Sequence, residues 1–289
     1  MSFLNQLTSL VKDPPPRHLF ELSEAGIAFA NSAGAGFQPF EPGTLVASPV
    51  ENNIVHADAI ASVISKLAAP NGSKKRRPAA VILPDYAARV TVLDFDSFPS
   101  APEEQISLVR FRVKKTVPFD IESAAVSYFV QPSSGGKPAN KKVEVLAVTV
   151  ALEVMARYEA LFRSAGFHPG VVTTSTLAAL NLYRGDGVVV LAKLSGRVLT
   201  VAVLSGSSIR LFRCVTLEEA SDDEILGVLH PTFAYVEDEL SAAVSKLILC
   251  GFERPLDGLR CPVEPLRSRF GEPGGFNAGL LGYLESVAN

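Results

Sequence analysis

The chain has few of the residues and patterns that usually announce chemistry. Its three cysteines, Cys214, Cys250 and Cys261, are an odd number without metal-type spacing, which argues against a disulfide framework or a zinc site and reads as small buried hydrophobes of a reduced compartment. The four histidines, His18, His56, His168 and His230, are far apart, and none begins an H-x-x-x-H arrangement. No G-x-x-x-x-G-K-[ST] loop is present: Gly135-Gly136-Lys137 lacks the upstream glycine and the Ser/Thr, and it lies between two strand patterns. A G-x-S-x-G nucleophile elbow is also missing. These absences lower the expectation of an ordinary hydrolase, metalloenzyme or dinucleotide enzyme.

Two further absences concern partners. A net charge of -3 gives no bulk electrostatic reason to expect nucleic acid. No stretch supplies the roughly 18 to 20 uninterrupted apolar residues of a membrane span. VVVLAKLSGRVLTVAVL comes nearest and is broken by Lys193, Arg197 and Ser-Gly turns. The beginning, MSFLNQLTSLVKDPPP, lacks a basic region followed by a long apolar core, so a cytoplasmic location is expected. With 289 residues, 47% hydrophobic and 20% charged, the chain reads as globular with two lobes.

Residues 3–12 put Phe3, Leu4, Leu7, Leu10 and Val11 on one helical face, and Pro14 to Pro16 end it as a stiff spacer. Such a segment docks on its own body, on a partner or on a membrane. Lys12, the only charge before Asp13, makes the membrane the weakest of the three. His18 to Asn31 alternates as a hairpin about Glu24-Ala25-Gly26, followed by a Gly- and Pro-rich stretch with an extended piece near Leu45-Val46. An amphipathic helix over 57–69, a basic loop over 71–78 and a buried-type strand over 79–83 come next. Residues 88–98 alternate, with Asp94 and Asp96 on what reads as the wet face rather than a metal site.

A helix follows, expected to be capped by Ser100, with Pro102, Glu103 and Glu104 in its first turn, Lys114 and Lys115 at its end, and Val117 to Asp120 as its stop. SAAVSYFVQ and VEVLAVTV read as strands, 151–165 as a helix ending at Gly166, and 175–183 as a short helix. Residues 188–214 form a three-stranded meander with turns near Ser195-Gly196 and Ser205-Gly206. Asp222, Asp223 and Glu224 mark a helix start that Pro231 is expected to interrupt. A helix over 232–248, the LILCGF strand and a last helix over about 276–287 complete the chain.

The order of these elements resembles the type IV pilus assembly protein PilM family. The resemblance is carried by Leu83-Pro84, Arg89, Pro118-Phe119 and Tyr128, then by the Ala165-Gly166-Phe167 turn and a Leu-Ala-Ala helix; it is most specific over 79–183. It implies an α/β, actin-like fold related to FtsA: two duplicated RNase H-like lobes with a small inserted α+β subdomain. The implied segments are 1–16 as N-terminal helix and linker, 17–84 with about 168–186 as first lobe, 85–167 as insertion, and 187–289 as second lobe. Two strand meanders, near 18–32 and 188–214, are what a duplicated lobe requires.

In the family, an Asp-Ile-Gly turn, a downstream Lys, a second Asp-x-Gly and a Gly-Gly turn approach Mg·ATP. Here Glu21 stands at the Asp position, Ser23 at the Gly and Ala28 near the Lys; Leu191 and Lys193 lie in the second turn, and Gly251-Phe252 at the third, with the phenyl group filling the adenosine space. Close backbone approach and metal ligation are what such a cleft needs, so no cofactor and no catalysis are expected. The resemblance implies a scaffold that binds the N-terminal cytoplasmic tail of a PilN-like inner-membrane protein. The tail would lie in a groove that includes Arg89, Arg112, Pro118 and Phe119, with membrane association indirect and self-association open. An equal reading of Pro118-Phe119 is a helix stop with a core aromatic, and Arg112 reads equally as a solvated helix face. The alternatives are an ATP-binding switch with altered contacts, or the cytoplasmic part of a GspL-like type II secretion protein, a kind that normally continues into a transmembrane helix.

Overall fold

The computed structural model describes residues 15–32, 34–50, 52–68, 76–132, 142–254 and 256–288. The expected N-terminal helix, and the Lys74-Lys75 and Gly135-Lys137 segments, lie outside the described residues.

Two five-stranded sheets repeat one plan. In the first, β1 (His18–Ser23), β2 (Gly26–Asn31) and β3 (Gly34–Pro39) form an antiparallel meander, and β4 (Arg77–Leu83) and β8 (Phe167–Thr174) add in parallel, in the order β3-β2-β1-β4-β8. In the second, β9 (Val188–Ser195), β10 (Val198–Ser205) and β11 (Ser208–Thr216) form the meander, joined by β12 (Lys246–Cys250) and β13 (Val263–Pro265), in the order β11-β10-β9-β12-β13. Between β4 and β8 sits a three-stranded sheet, β5 (Arg89–Phe95), β7 (Val143–Ala151) and β6 (Ala124–Val130), in the order β5-β7-β6.

The helices follow the apolar stripes. α1 (Ala57–Leu67) buries Ile60 and Ile64 against the first sheet. α2 (Pro102–Val113) covers the small sheet through Val109 and Val113. α3 (Leu152–Ser164) precedes β8, α4 (Ser175–Ala179) follows it, α5 (Asp222–Leu240) joins β11 to β12, and α6 (Ala278–Val287) comes last.

Several expectations are corrected. The Gly- and Pro-rich stretch contains β3, because pairing to β2 uses backbone alone and Gly36 leaves room for the Phe29 ring, whose Cζ lies 2.9 Å from where a Cβ would stand. Ser100 does not cap α2: Ala101 holds the cap position without a side-chain bond, and the Gln105 amide donates to the Pro99 carbonyl at 2.6 Å instead. The helix stops at Val113, before Val117. Pro231 does not interrupt α5, since it and Gly227, whose carbonyl it frees, are both exposed and the freed carbonyl is open to solvent. Nor is 232–248 one helix: Ser241 turns left-handed at φ 48°, and Lys246 onward pairs with β9 from Val189.

Two expected boundaries also move. α3, placed in the 85–167 insertion, packs with the first lobe: Val154, Tyr158, Leu161 and Phe162 join Phe20 and Phe167, and the Phe20 and Phe162 rings are 5.1 Å apart. α6, placed in the second lobe, returns to the first, where Leu280 and Leu281 pack on Leu19, Ala28 and Ala30. It approaches α4 closely: a Cβ on Gly282 would stand 2.0 Å from the Ala178 carbonyl oxygen, and one on Gly279 2.8 Å from Ser175 Cα. Among the described residues, no helix is long and apolar enough to cross a membrane.

Because that contact is backbone against backbone, Gly282→Ala is expected to destabilise the chain by about 1–3 kcal/mol, read by urea titration. Tyr158→Phe, which deletes a buried hydroxyl without a hydrogen-bond partner among the described residues, is expected to be neutral or stabilising in the same titration.

Candidate functional site

The two sheets face each other across a cleft of about 430 Å³. Phe40, Leu45, Val46, Tyr86 and Phe276 line its walls, and Glu21, Asp85, Lys193, Ser195 and Gly275 its floor. Four of these floor residues sit at a strand end or just beyond it, and Gly275 lies in the segment before α6. Glu21 is near the end of β1, Asp85 follows β4 after Pro84, and Lys193 and Ser195 end β9.

The floor is a closed network. Glu21, 1% exposed, accepts from the Ser175 hydroxyl through Oε1 and from the Leu280 backbone N–H through Oε2 at 2.7 Å. Asp85, 4% exposed, takes the Thr176 N–H at 2.7 Å on Oδ1. Its Oδ2 takes the Thr176 hydroxyl at 2.5 Å, the Thr200 hydroxyl at 3.2 Å and the Lys193 ammonium at 3.5 Å. Lys193, 2% exposed, also donates to Ser195 Oγ at 2.5 Å, and Ser195 passes a bond on to the Gly275 carbonyl at 2.5 Å. One lysine of the second lobe is thus held by an acid of the first.

Burial pushes the Glu21 carboxyl above its ordinary range, against the opposing pull of Lys193 and of its two donors. For Lys193 burial opposes the charge, but Asp85 and then Glu21 outweigh it and hold the ammonium above its usual 10.5. Stability from Lys193 is therefore complete below pH 10.5 and lost as pH climbs beyond it. Cys250 beside this group is pushed up to about 12 by burial, which keeps it an unreactive thiol at neutral pH.

The structure brings together only part of the expected set. Glu21 and Lys193 meet at the floor, with Ser23 beside them, its hydroxyl tied to its own turn by bonds to Gly26 at 3.0 and 3.2 Å. Ala28 and Leu191 do not line the cleft: Ala28 packs under α6, and Leu191 beside Ile248 and Ala278. Phe252 does not fill the adenosine space; it packs against the core of the second lobe. Gly251 is at φ +77°, and a Cβ there would stand 2.2 Å from the Leu194 carbonyl, so this turn is already pressed onto β9.

The four partner candidates are dispersed. Arg89 begins β5, with its guanidinium 5.3 Å from the Tyr86 ring centroid, while Arg112 lies 5.1 Å from the ring of Phe95 at the other end of the strand, roughly 20 Å along at about 3.3 Å per residue. Phe119 packs into the small sheet's core, and Pro118 is exposed.

Sequence reading missed Asp85, Ser175, Thr176 and Ser195. Asp85 had a signal: an acid directly after a fully apolar strand and a proline must be buried or at a cleft. The hydroxyl residues had none, since their partners are up to 154 residues away.

A magnesium triphosphate does not suit this donor set. Both Glu21 oxygens are occupied by N–H and O–H donors, Lys193 is spent on Asp85 and Ser195, and the third turn has no free space.

Duplicated sheets of this order, with a cleft between them and an insertion in the first, define an actin-like α/β fold. No protein-family model matches the sequence, and no curated protein matches it. Among solved structures, a PilM–PilN type IV pilus biogenesis complex matches with a TM-score of 0.68 at 17% identity, over 94% of this chain and 99% of that chain. The cytoplasmic domain of EpsL, an inner membrane component of the type II secretion system of Vibrio cholerae, matches at 0.55 and 14%, covering 94% of each chain. A Bacteroides thetaiotaomicron protein of actin-like ATPase fold and unknown function matches at 0.51 and 12%, over 94% and 95%.

Two outcomes follow from the buried pair. Lys193→Met leaves Asp85 without its cation and is expected to cost about 3–5 kcal/mol, of which Lys193→Met/Asp85→Asn regains a large part, by urea titration. The folded chain holds the Glu21 proton more tightly than the unfolded chain, so its contribution falls as pH rises above 4.5. Glu21→Gln is therefore expected to gain on the wild type between acid pH and neutrality, seen as a changing difference in melting temperature.

Proposed function

We propose that the protein is a non-catalytic actin-like scaffold at the inner face of an inner membrane, in a type IV pilus or related secretion machine. In this role it holds the N-terminal cytoplasmic tail of a PilN-like membrane protein. The observation that carries the non-catalytic part is the cleft floor, where the groups that would meet phosphate and metal are already bonded, Lys193 to Asp85 across the lobes and Glu21 to Ser175 and the Leu280 N–H. Ground-state rigidity replaces the open, charged cradle that nucleotide chemistry needs. Support for the setting comes from the likeness to the PilM–PilN complex and to EpsL, which extends over nearly the whole chain in both. An extended tail would gain backbone bonds along a strand edge and apolar anchors, and Arg89 and Arg112 would bracket it only if it ran the length of β5.

Calorimetric titration with Mg·ATP and Mg·ADP is expected to show no binding up to millimolar nucleotide; micromolar affinity would overturn the scaffold reading. Tail capture is tested separately. Peptides from the cytoplasmic N-termini of single-pass inner-membrane pilus or secretion proteins are expected to bind the purified chain, and Arg89→Glu to weaken that binding at least about tenfold.

A further inference from the structure

Phe111 is 70% exposed, the highest of any large apolar side chain among the described residues. It lies on the outward face of α2, on the side of the helix opposite the buried Val109 and Val113. Lys114 and Lys115 follow it by three and four positions, and Lys114 keeps helical geometry, with its N–H bonded to the Arg110 carbonyl at 3.1 Å. Both lysines are exposed, so they flank the ring one turn on.

The neighbouring charges are committed elsewhere. The Arg110 guanidinium turns inward to the Ile121 and Ala124 carbonyls at 2.6 and 3.3 Å, and pairs with Glu122 at 3.6 Å. Asp120 accepts from the Glu122 N–H at 3.1 Å. Arg112 covers Phe95 on the adjoining flank, beside Asp94 and Asp96 in the chain. The acids of α2 itself, Glu103 and Glu104, are eight and seven residues back from Phe111, about 10–12 Å along the helix. Neither lysine takes part in an ion pair among the described residues.

We propose that Phe111, Lys114 and Lys115 form a touch-down point on an anionic lipid surface, the ring entering the headgroup boundary while the two ammonium groups meet lipid phosphates. The shape favours lipid over a protein partner. A protein partner would require a wider apolar patch or a pocket around the ring, whereas Phe111 projects from the last turn of α2 among the polar residues Arg110, Arg112, Lys114 and Lys115, a form that a fluid interface can close around. Charge complementarity selects the anionic surface, with each lysine adding about fivefold to the partition coefficient. Two lysines and one ring give weak binding by themselves. Beside a membrane-borne partner the same contact becomes intramolecular and fixes how the body stands on the membrane. This surface adds direct membrane contact to the proposed function and is independent of tail capture and of the cleft.

The test is co-sedimentation of the purified chain with phosphatidylcholine vesicles, with and without phosphatidylglycerol, at low and high salt. Binding is expected only to the anionic vesicles and to weaken with salt. Lys114→Ser/Lys115→Ser is expected to lower it about 25-fold, and Phe111→Ser about tenfold or more, with melting temperature unchanged because all three side chains are exposed. Absence of wild-type binding overturns the proposal. So does binding that survives both variants, which would place the contact in another segment, residues 1–16 included. Phe111-dependent binding of an acidic peptide without any vesicle binding would assign the tip to a protein partner and equally overturn the lipid assignment. Failure of tail capture with vesicle binding intact would leave this contact standing and remove only the partner.

Discussion

The ion pair between Asp85 and Lys193 is the constraint on which the rest of the molecule depends. Two charges shielded from water attract strongly but lose their hydration, and the balance is favourable only when every remaining lone pair and proton is satisfied. Here Thr176 and Thr200 donate to Asp85 and Ser195 accepts from Lys193, from three different elements. The pair therefore fixes the end of β4, the start of α4 and the first turn of the second meander in one arrangement. Moving the lobes apart would expose half of it to water and leave the other half unpaired.

A second set of contacts ties the insertion to the second lobe. The Gln131 side chain stands in for a strand: its Nε2 donates to the Ile209 carbonyl at 2.8 Å and its Oε1 accepts from the Ile209 N–H at 2.7 Å. Ser208 donates to the Pro132 carbonyl at 3.2 Å, and Arg210 pairs with Glu144. Val92 and Leu146 pack against the cluster of Val189, Leu204 and Ile209. The insertion thus bridges both lobes, so the cleft is braced at its floor and also from outside. Any separation of the two lobes would have to break both braces together.

Local pattern revealed much of this architecture, and long-range chemistry much less. The two meanders were legible because Phe20, Leu22 and Ile27, like Val190, Ala192 and Val201, recur on one face at the strand period and are bounded by turns. β3 was not legible, since Gly34, Ala35 and Gly36 carry no side-chain signal and their pairing is a backbone property. α5 was misread because proline usually ends a helix, and only the exposure of Pro231 shows why it does not here. At the site, Glu21 and Lys193 were visible by their place in the repeated plan. Asp85 was hidden because its partners Thr176, Lys193 and Thr200 are 91 to 115 residues away, and Phe252 misled because Gly251 presses on the Leu194 carbonyl while the ring packs into the core of the second lobe.

The bond from the Leu280 N–H to Glu21 joins positions 259 residues apart. At a synthesis rate of 5–20 residues per second, roughly 13 to 50 s separate the emergence of the two partners from the ribosome. Throughout that interval β1 and β2 lack the helix that covers Leu19, Ala28 and Ala30, and Glu21 Oε2 lacks its donor. The first lobe is begun first and completed last. Its apolar back face is thus the surface that a nascent-chain chaperone would meet, and the stretch in which a pause in translation would be most damaging.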